Sequence, residues 1–459
     1  MKIDLFPSQS VPRIIHLPHV AIIGGGASGV LLAAHLLHNP AAALRVTVIE
    51  GQNLPGRGVA YSTRDPNHLL NTRVANMSAF PDDPDHFRRW LSARGTEMTG
   101  ASFVSRATYG AYLSDLLAPV AGDGRLRFLR ATCTGLRTRP DGAGVILQME
   151  DGQTLPADSA ILATGHAMPE PDPQGIVQGA WDPAPPPSER RVVIVGSGLS
   201  MIDQAISLLE RGHFGEIIAL SRRAQLPRTH APGQPLAISP AEIPLGAPVS
   251  ALMAWIRALA ARAAAQGGTW RDAVDGVRPH LRAIWAALPP TERARFLRHA
   301  APWWEVHRHR VPPESAALVE RALREGQLRL LRGAFLGAEQ DAQGQRLVRW
   351  RPHGQDAAET LPAGHIIDCR GIRRDPAENA TPLIADLLTS GRARIDPLRL
   401  GLDVTQDCRV IDREGRADPR IRAMGPASRA AFWEITAIPD IREQARQLAA
   451  DLVSELCPA

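Results

Sequence analysis

Lysine is nearly missing from this chain. Lys2 is the sole lysine among 52 lysines and arginines. Arginine stays protonated and forms no Schiff base, so enzymes built on an internal lysine, such as pyridoxal phosphate enzymes and P-loop ATPases, are excluded. Cysteine is scarce as well. Cys133, Cys369, Cys408 and Cys457 lie far apart, with no C-x-x-C pair and no zinc-ligand spacing. That counts against a disulfide reductase and leaves the thiols as small buried residues. No apolar run approaches the ~20 residues of a membrane span. The opening residues, Met1 to Pro7, lack the apolar centre of a signal peptide. A cytoplasmic protein with no membrane partner is expected. No nucleic-acid-binding module is recognisable.

What is present is ordinary in bulk and specific in detail. Hydrophobic residues make up 44% and charged residues 22% of 459 positions, as in soluble globular proteins with room for two or three domains. The net charge of +5 suits an anionic cofactor or substrate, or simply a solvated arginine-rich surface. The chain is organised around His19–Glu50. His19-Val20-Ala21-Ile22-Ile23 reads as a short buried strand, and Val30 to Ala34 opens a helix. Between them Gly24, Gly26 and Gly29 fall on G-x-G-x-x-G, with Ala27 and Ser28 inside the motif. The first glycine makes the turn, the second lets backbone approach a pyrophosphate, and the third lets helix and strand pack closely. The helix N-terminus then faces the phosphates. The next strand, Arg45–Ile49, ends on Glu50, at 50 − 29 = 21 residues past the last glycine. An acid there accepts hydrogen bonds from a ribose.

A Gly/Pro-rich loop follows, Gly51 to Tyr61, long enough to pass over a bound cofactor. His68 to Ser78 mixes apolar residues with amides and hydroxyls, a lining that suits a flat heterocycle and equally an ordinary loop. Residues 125–165 read as a β-meander closing on a buried strand that ends Ala163-Thr164-Gly165, where glycine permits close backbone approach. Residues 169–188 are proline-rich and read as a linker. A second signature starts at Arg191–Val195, with Gly196, Gly198 and Ser200 in the turn and Met201 where the third glycine is expected. Its following strand ends on Ser221-Arg222-Arg223 rather than an acid. Two arginines there suit a 2′-phosphate, so NADPH is favoured over NADH. The halves echo each other: Thr154-Leu155-Pro156-Ala157 recurs as Thr360-Leu361-Pro362-Ala363, as expected of two related domains.

Between the halves, about 231–325, lies a mostly helical insertion. It carries five of the nine tryptophans (Trp255, Trp270, Trp285, Trp303, Trp304). It reads either as a cap presenting aromatic and cationic groups to a substrate, or as plain core and surface. His307 and His309, without a third ligand, are not expected to hold a metal. The last section returns to the first domain through Met424-Gly425-Pro426 and a helix from about Pro439 to Leu456. Trp433 and Glu434 precede that helix.

Taken together, these motifs resemble the bacterial FAD/NAD(P)-binding protein family, related to two-dinucleotide flavoprotein monooxygenases of the flavin-containing and N-hydroxylating kinds. The resemblance rests on Gly24–Gly29 with Glu50, Gly58-Val59-Ala60-Tyr61, His68–Asn71 running to Met77–Phe80, Ala163-Thr164-Gly165, Gly196-Ser197-Gly198, and Phe432–Ala437 with Pro439-Asp440. It implies an α/β fold with two Rossmann-like dinucleotide-binding domains: a discontinuous FAD domain in 1–170 and 351–459, and an NADPH domain in 188–350 carrying the insertion. It implies FAD contacts at Gly24, Gly26, Ala27, Ser28, Gly29, Glu50, Gly58, Ala60, Asn71, Met77, Thr164, Gly165, Gly425, Thr436 and Ile438. NADPH contacts fall at Gly196, Gly198, Ser200, Arg222 and Arg223, and Asn71, Trp433 and Glu434 are candidate catalytic residues. The positive end of the last helix suits the anionic edge of a reduced flavin. The Baeyer–Villiger signature is absent, since Asp341 stands where its histidine belongs. The activity implied is an NADPH-consuming monooxygenase that oxygenates a nucleophilic nitrogen or sulfur of a small molecule with O₂, through a C4a-peroxyflavin. A reductase or dehydrogenase without oxygen insertion, and a non-catalytic redox sensor, are the alternatives.

Overall fold

The computed structural model describes residues 17–51, 55–122, 124–166, 170–371 and 375–458. Its first stretch opens with β1 (His19–Ile23), α1 (Ala27–His38) and β2 (Arg45–Ile49). It continues through α2 (His86–Ser92), α3 (Arg106–Asp115), β3 (Leu126–Leu129), β4 (Cys133–Thr138), β5 (Val145–Met149), β6 (Thr154–Ala157) and β7 (Ser159–Leu162). Every residue of β1 is buried. A parallel strand covered on both faces must be apolar throughout, which is why it reads as a run rather than an alternation. β1 lies between β2 and β7, parallel to both, with Val20 opposite Val46 and Ser159. β3 is parallel to β2, so it belongs to this sheet; the meander proper is β4, β5 and β6.

The second stretch holds β8 (Val177–Gly179), β9 (Val192–Val195), α4 (Leu199–Glu210) and β10 (Ile217–Ser221). A helical layer follows: α5 (Val249–Ala265), α6 (Trp270–Val277), α7 (Leu281–Ala287), α8 (Pro290–Arg295) and α9 (Ala301–Arg308). Next come α10 (Pro313–Arg324), β11 (Leu328–Gln340), β12 (Arg346–Pro352), β13 (Glu359–Ala363) and β14 (His365–Asp368). The sheet order is β13-β12-β11-β10-β9-β14-β8. Three expectations are corrected here. The proline-rich stretch before residue 188 is not only a linker, because β8 pairs with β14. The second sheet runs on to Asp368, past the expected boundary at 350. α10 shares a core with α4 through Val319 and Ala322, so it is the crossover helix from β10 to β11 rather than part of the insertion.

The chain then returns to the first sheet with α11 (Pro376–Asn379), α12 (Pro382–Thr389), β15 (Arg409–Ile411), β16 (Ala417–Ala423) and α13 (Ile438–Leu456). The order there is β15-β16-β7-β1-β2-β3, with β16 parallel to β7. The first sheet is therefore assembled from both ends of the chain. α1 is buried on nearly every side, with Leu31, Leu32 and Leu36 inaccessible to solvent. Each such leucine contributes about 1.5–3 kcal/mol on burial.

The internal echo is a topological repeat. β2 pairs with β3 as β10 pairs with β11, and β1 pairs with β7 as β9 pairs with β14. The recurring Thr-Leu-Pro-Ala is β6 in one half and most of β13 in the other.

Candidate cofactor-binding and active site

β1, β2 and β7 run parallel, so Ile23, Ile49 and Leu162 end at one edge of the sheet, where ligands bind in doubly wound folds. The backbone N–H of Gly24 donates to the Ile49 carbonyl at 2.9 Å. Gly24 has φ +108°, and a Cβ there would lie 2.3 Å from the Ala163 oxygen. A Cβ on Gly29 would lie 2.0 Å from the Gly24 oxygen. These two glycines are forced by packing. Gly26 is not: its Cβ would meet only the Gly58 Cα, at an ordinary 3.5 Å. No collision demands glycine here, and the lack of a side chain at both Gly26 and Gly58 suits close approach of a phosphate. Gly26 is also the N-cap of α1, with no side-chain cap and no acid in the first turn, so helix N–H groups stay available to an anion.

Glu50 accepts a hydrogen bond from the Gly25 N–H at 3.0 Å. Gly25 itself was not among the expected site residues. A Cβ on it would lie 2.8 Å from the Glu50 Cβ, so this buried glycine seats the acid beside the turn. The run Gly24-Gly25-Gly26 was its sequence signal. The loop after β2 folds back over the turn. Gly56 donates to the Gly25 oxygen at 2.7 Å, and Gly58 takes φ +49° against Gly26. Of that loop, 52–54 lie outside the described residues.

Thr164 and Gly165 line a cleft of about 600 Å³ with Leu400, Pro426, Ala427 and Arg429. Gly425, at φ +59°, leaves no room for a Cβ, which would sit 2.2 Å from the Ser28 Oγ. Its N–H donates to Gln444 on α13 at 2.7 Å, so Ser28 and Gly425 together dock α1 on the closing segment. Ala27 opens α1 beside them. Met77 and Ile438 are core residues, each 2% exposed. The Asn71 carbonyl accepts from the His230 ring at 3.0 Å, and Thr436 N–H donates to the Glu434 carbonyl at 2.6 Å.

The second turn repeats the first. Gly196 N–H donates to the Leu220 oxygen at 2.8 Å. Gly196 has φ +128°, and its Cβ would lie 2.3 Å from the Cys369 oxygen. Gly198, the N-cap of α4, has nothing within 4 Å of a Cβ. Once more the middle glycine has no packing reason. Met201, in place of the third glycine, is fully buried in the second core. Ser197 bonds to Ser221 at 2.8 Å, which ties the turn to the end of β10, where Arg222 and Arg223 follow. Neither arginine has an ion-pair partner among the described residues.

Ser200 and Ala60 line a second cleft of about 940 Å³ between the two halves, with Arg64, Asp65, His68, Arg106 and Asp203 among its walls. Arg106 pairs with Asp203 across it at 2.8 Å. Ser207 on α4 bonds to the His68 Nε2 at 2.8 Å and donates to Asp65 at 2.5 Å. Burial opposes ionisation of Asp65, but the Ser207 hydroxyl and the Asn67 N–H outweigh it, and the carboxyl is held below its usual range.

Trp433 and Glu434 do not line the Thr164–Gly165 cleft. They sit where the helical layer meets the C-terminal return. Trp433 stacks on Trp285 with ring centroids 5.1 Å apart, and Glu434, 8% exposed, accepts from Trp304 Nε1 at 2.6 Å. Arg308, equally buried, stands 3.5 Å from Glu434 and 3.7 Å from Asp440. Burial raises the Glu434 carboxyl, but Arg308, His309 and the Trp304 N–H outweigh it and hold it ionised below the usual range. Burial pushes the neighbouring His309 down to about 4, against the pull of Glu434. This geometry gives Glu434 a buried structural pairing. The clustering of Arg278, Arg308, His309 and Asp440 around it was not legible in the sequence, where they are scattered over two segments.

All four cysteines are free, and Cys133, Cys369 and Cys408 are buried. Burial pushes the Cys133 and Cys408 thiols up to about 11, which leaves them unreactive. Among the described residues, no group of three or more His, Cys, Asp or Glu side chains is placed to hold a metal. No described helix is long and apolar enough to cross a membrane.

The fold is found in solved structures at low identity. The reduced form of an ornithine hydroxylase from Pseudomonas aeruginosa is 16% identical, covers 96% of this chain and 100% of its own, and has a TM-score of 0.63. An ornithine N-hydroxylase from Kutzneria, bound to reduced FAD, NADP⁺ and L-ornithine, is 15% identical over 95% of this chain and 99% of its own, with a TM-score of 0.65. Thioredoxin reductase from Lactococcus lactis is 14% identical over 95% of this chain and 99% of its own, with a TM-score of 0.53. No curated protein matches the sequence. Residues 21–167 match the model of the FAD-NAD(P)-binding family, and this stretch, with its glycine turn, its acid at position 50 and its closing β7, is an FAD/NAD(P)-binding domain.

Proposed function

We propose that this protein is a flavin-dependent oxidoreductase that draws electrons from NADPH and oxygenates a nucleophilic nitrogen or sulfur of a small molecule. One observation carries the reading: each sheet presents a glycine turn whose middle glycine is not demanded by any Cβ collision, at a helix N-terminus without a side-chain cap. Two nucleotide cradles in one chain suit an electron relay between two bound nucleotides. Gly24–Gly29 hold the first pyrophosphate, with Glu50 on the ribose. Gly196–Ser200 hold the second, with Arg222 and Arg223 on a 2′-phosphate. FAD, when bound, supplies the two-electron chemistry and the reaction with O₂. The protein orients it and excludes water. The balance is X + O₂ + NADPH + H⁺ → XO + NADP⁺ + H₂O.

Oxygen insertion is supported by the likeness to N-hydroxylating enzymes along almost the whole chain. The same fold also serves thioredoxin reductase, but disulfide exchange needs a pair of reactive thiols, and here no C-x-x-C pair is present and three of the four cysteines are buried. A reductase acting on another acceptor predicts NADPH oxidation that returns its electrons to peroxide. The test is stoichiometry. FAD-loaded protein is given NADPH in air with panels of amines and sulfides, and NADPH consumed, peroxide formed and oxygenated product are measured together. Product replacing peroxide in the presence of one panel member supports the monooxygenase. Peroxide equal to NADPH with every member moves the reading to the reductase, and no NADPH oxidation moves it to the sensor.

A further inference from the structure

The chain has three tyrosines in 459 residues, and all three meet in one aromatic cluster. Tyr61 stands in the loop after β2, the loop that lays Gly58 against Gly26. Its ring centroid is 5.0 Å from that of Tyr109, and Tyr109 is 5.5 Å from Tyr112, both on α3. Tyr112 is 5.5 Å from Trp90 on α2, with Phe87 beside them, 4.7 Å from Tyr112. Tyr109 and Tyr112 are inaccessible to solvent, whereas Trp90 is half-buried. The rings therefore run without a break from the loop over the first glycine turn to the surface.

Packing asks for rings here, not for phenols. The Tyr109 hydroxyl has no partner among the described residues. That costs about 1–3 kcal/mol, which phenylalanine would avoid. Tyr112 is placed differently. Its oxygen accepts from the Ala79 N–H at 3.0 Å, and its proton is left to His86 Nδ1 at 2.8 Å. Burial holds the His86 ring below its usual pKa, so the ring is neutral and one nitrogen accepts. A phenol gives up an electron readily only when its proton can leave too, because the radical cation is a strong acid. Tyr112 has that acceptor and Tyr109 has none, so an oxidising equivalent crosses Tyr109 and settles on Tyr112. The Trp90 indole N–H has an acceptor as well, Asp115 at 3.2 Å. The Arg94 guanidinium, 4.0 Å from the Trp90 ring centroid, disfavours a second positive charge there, which again leaves the radical on Tyr112.

We propose that these side chains form a one-electron relay. Tyr112 gives its electron to an oxidant on the flavin side and its proton to His86, and Trp90 passes back an electron from a reductant in solution. The flavin side rests on the reading above; the exchange between Trp90 and Tyr112 does not. The oxidant is a hydroxyl-type radical, derived from peroxide formed when NADPH is oxidised without substrate. The step is HO• + Tyr112–OH + His86 → HO⁻ + Tyr112–O• + His86–H⁺. One electron from ascorbate or a thiol, passed through Trp90, and the proton returned by His86 restore the phenol. Pulse radiolysis of the FAD-loaded protein with azide radicals, which oxidise tryptophan by one electron, tests the relay. Tryptophanyl absorbance decays as tyrosyl absorbance grows, at a rate independent of protein concentration. Every tyrosyl signal comes from this cluster, since the chain has no other tyrosine. Tyr112→Phe removes the growth although Tyr61 and Tyr109 remain, and Trp90→Phe removes most of it. A second measurement reaches the flavin side. Given NADPH in air with ascorbate and no substrate, the FAD-loaded wild-type protein keeps oxidising NADPH longer than Tyr112→Phe does. No tyrosyl growth, growth undiminished by either substitution, or equal inactivation overturns the proposal. If the protein oxidises no NADPH, the reading above falls and the tyrosyl growth alone decides the relay.

Discussion

Six glycines of the two turns divide into positions the fold needs and positions a ligand needs. At Gly24 and Gly196 positive φ and a Cβ collision with backbone exclude any side chain. At Gly26 and Gly198 neither applies. Gly24→Ala is therefore expected to destabilise folding by at least the 1–3 kcal/mol of a strained backbone, read as a lower urea midpoint. Gly26→Ala should leave the midpoint within about 0.5 kcal/mol and lower the flavin retained on purification. The same contrast holds for Gly196 and Gly198, with the Michaelis constant for NADPH as the second readout. Glu50→Ala should also deplete flavin, and unchanged flavin content would remove its ribose role. The distinction is invisible in the motif, which writes all its glycines alike.

At the scale of the element, the end of β10 bears on the proposed nucleotide choice and the end of α9 on the pH response. The strand ends on Ser221, and Arg222 and Arg223 follow it beside the glycine turn. Replacing both with alanine is expected to raise the Michaelis constant for NADPH at least tenfold and for NADH little, since charge-assisted contacts to a phosphate are lost only with the former. Equal effects would refute the assignment. At the end of α9, His309 is half-buried, and desolvation lowers its pKa to about 4 from 6.5. The unfolded chain takes up that proton below pH 6.5 while the folded chain does not, so the stability this group contributes is full above pH 6.5 and declines as pH falls towards 4. Denaturant midpoints measured from pH 7 to 4.5 should drop less steeply in His309→Gln, by up to about 1.4 kcal/mol per pH unit. Parallel curves would mean that His309 is not protected.

Across the whole molecule, the two halves meet through Arg106–Asp203 and through Ser207 with His68 and Asp65. These partners come from the loop after β2 and from α3 on one side and from α4 on the other. Ser207→Ala leaves His68 and Asp65 without a shared hydroxyl. It should cost about 1–2 kcal/mol, measured by chemical denaturation. If the contact also sets the spacing of the two nucleotides, the rate of flavin reduction by NADPH will fall without a matching change in NADPH affinity.

Much of this was legible in the residues. Strands such as Val20–Ile23 and Val192–Val195 announce themselves because a strand buried on both faces must be apolar throughout, and each glycine turn because local backbone geometry allows little else. Glu50 follows from its spacing to Gly29, and the pairing of the halves from the repeated Thr-Leu-Pro-Ala. These are properties of short segments, so the sequence by itself determined them. Other features depend on contacts between distant segments. β3 left the meander for the main sheet, β8 emerged from a proline-rich stretch by pairing with β14, and α10 joined the second core because Val319 and Ala322 had α4 to cover. Glu434 became a buried partner of Arg308 and Trp304, more than a hundred positions away, and Trp433 came to stack on Trp285. Only the tertiary structure decided these, since burial and pairing belong to the packed whole and leave no periodic mark on the chain.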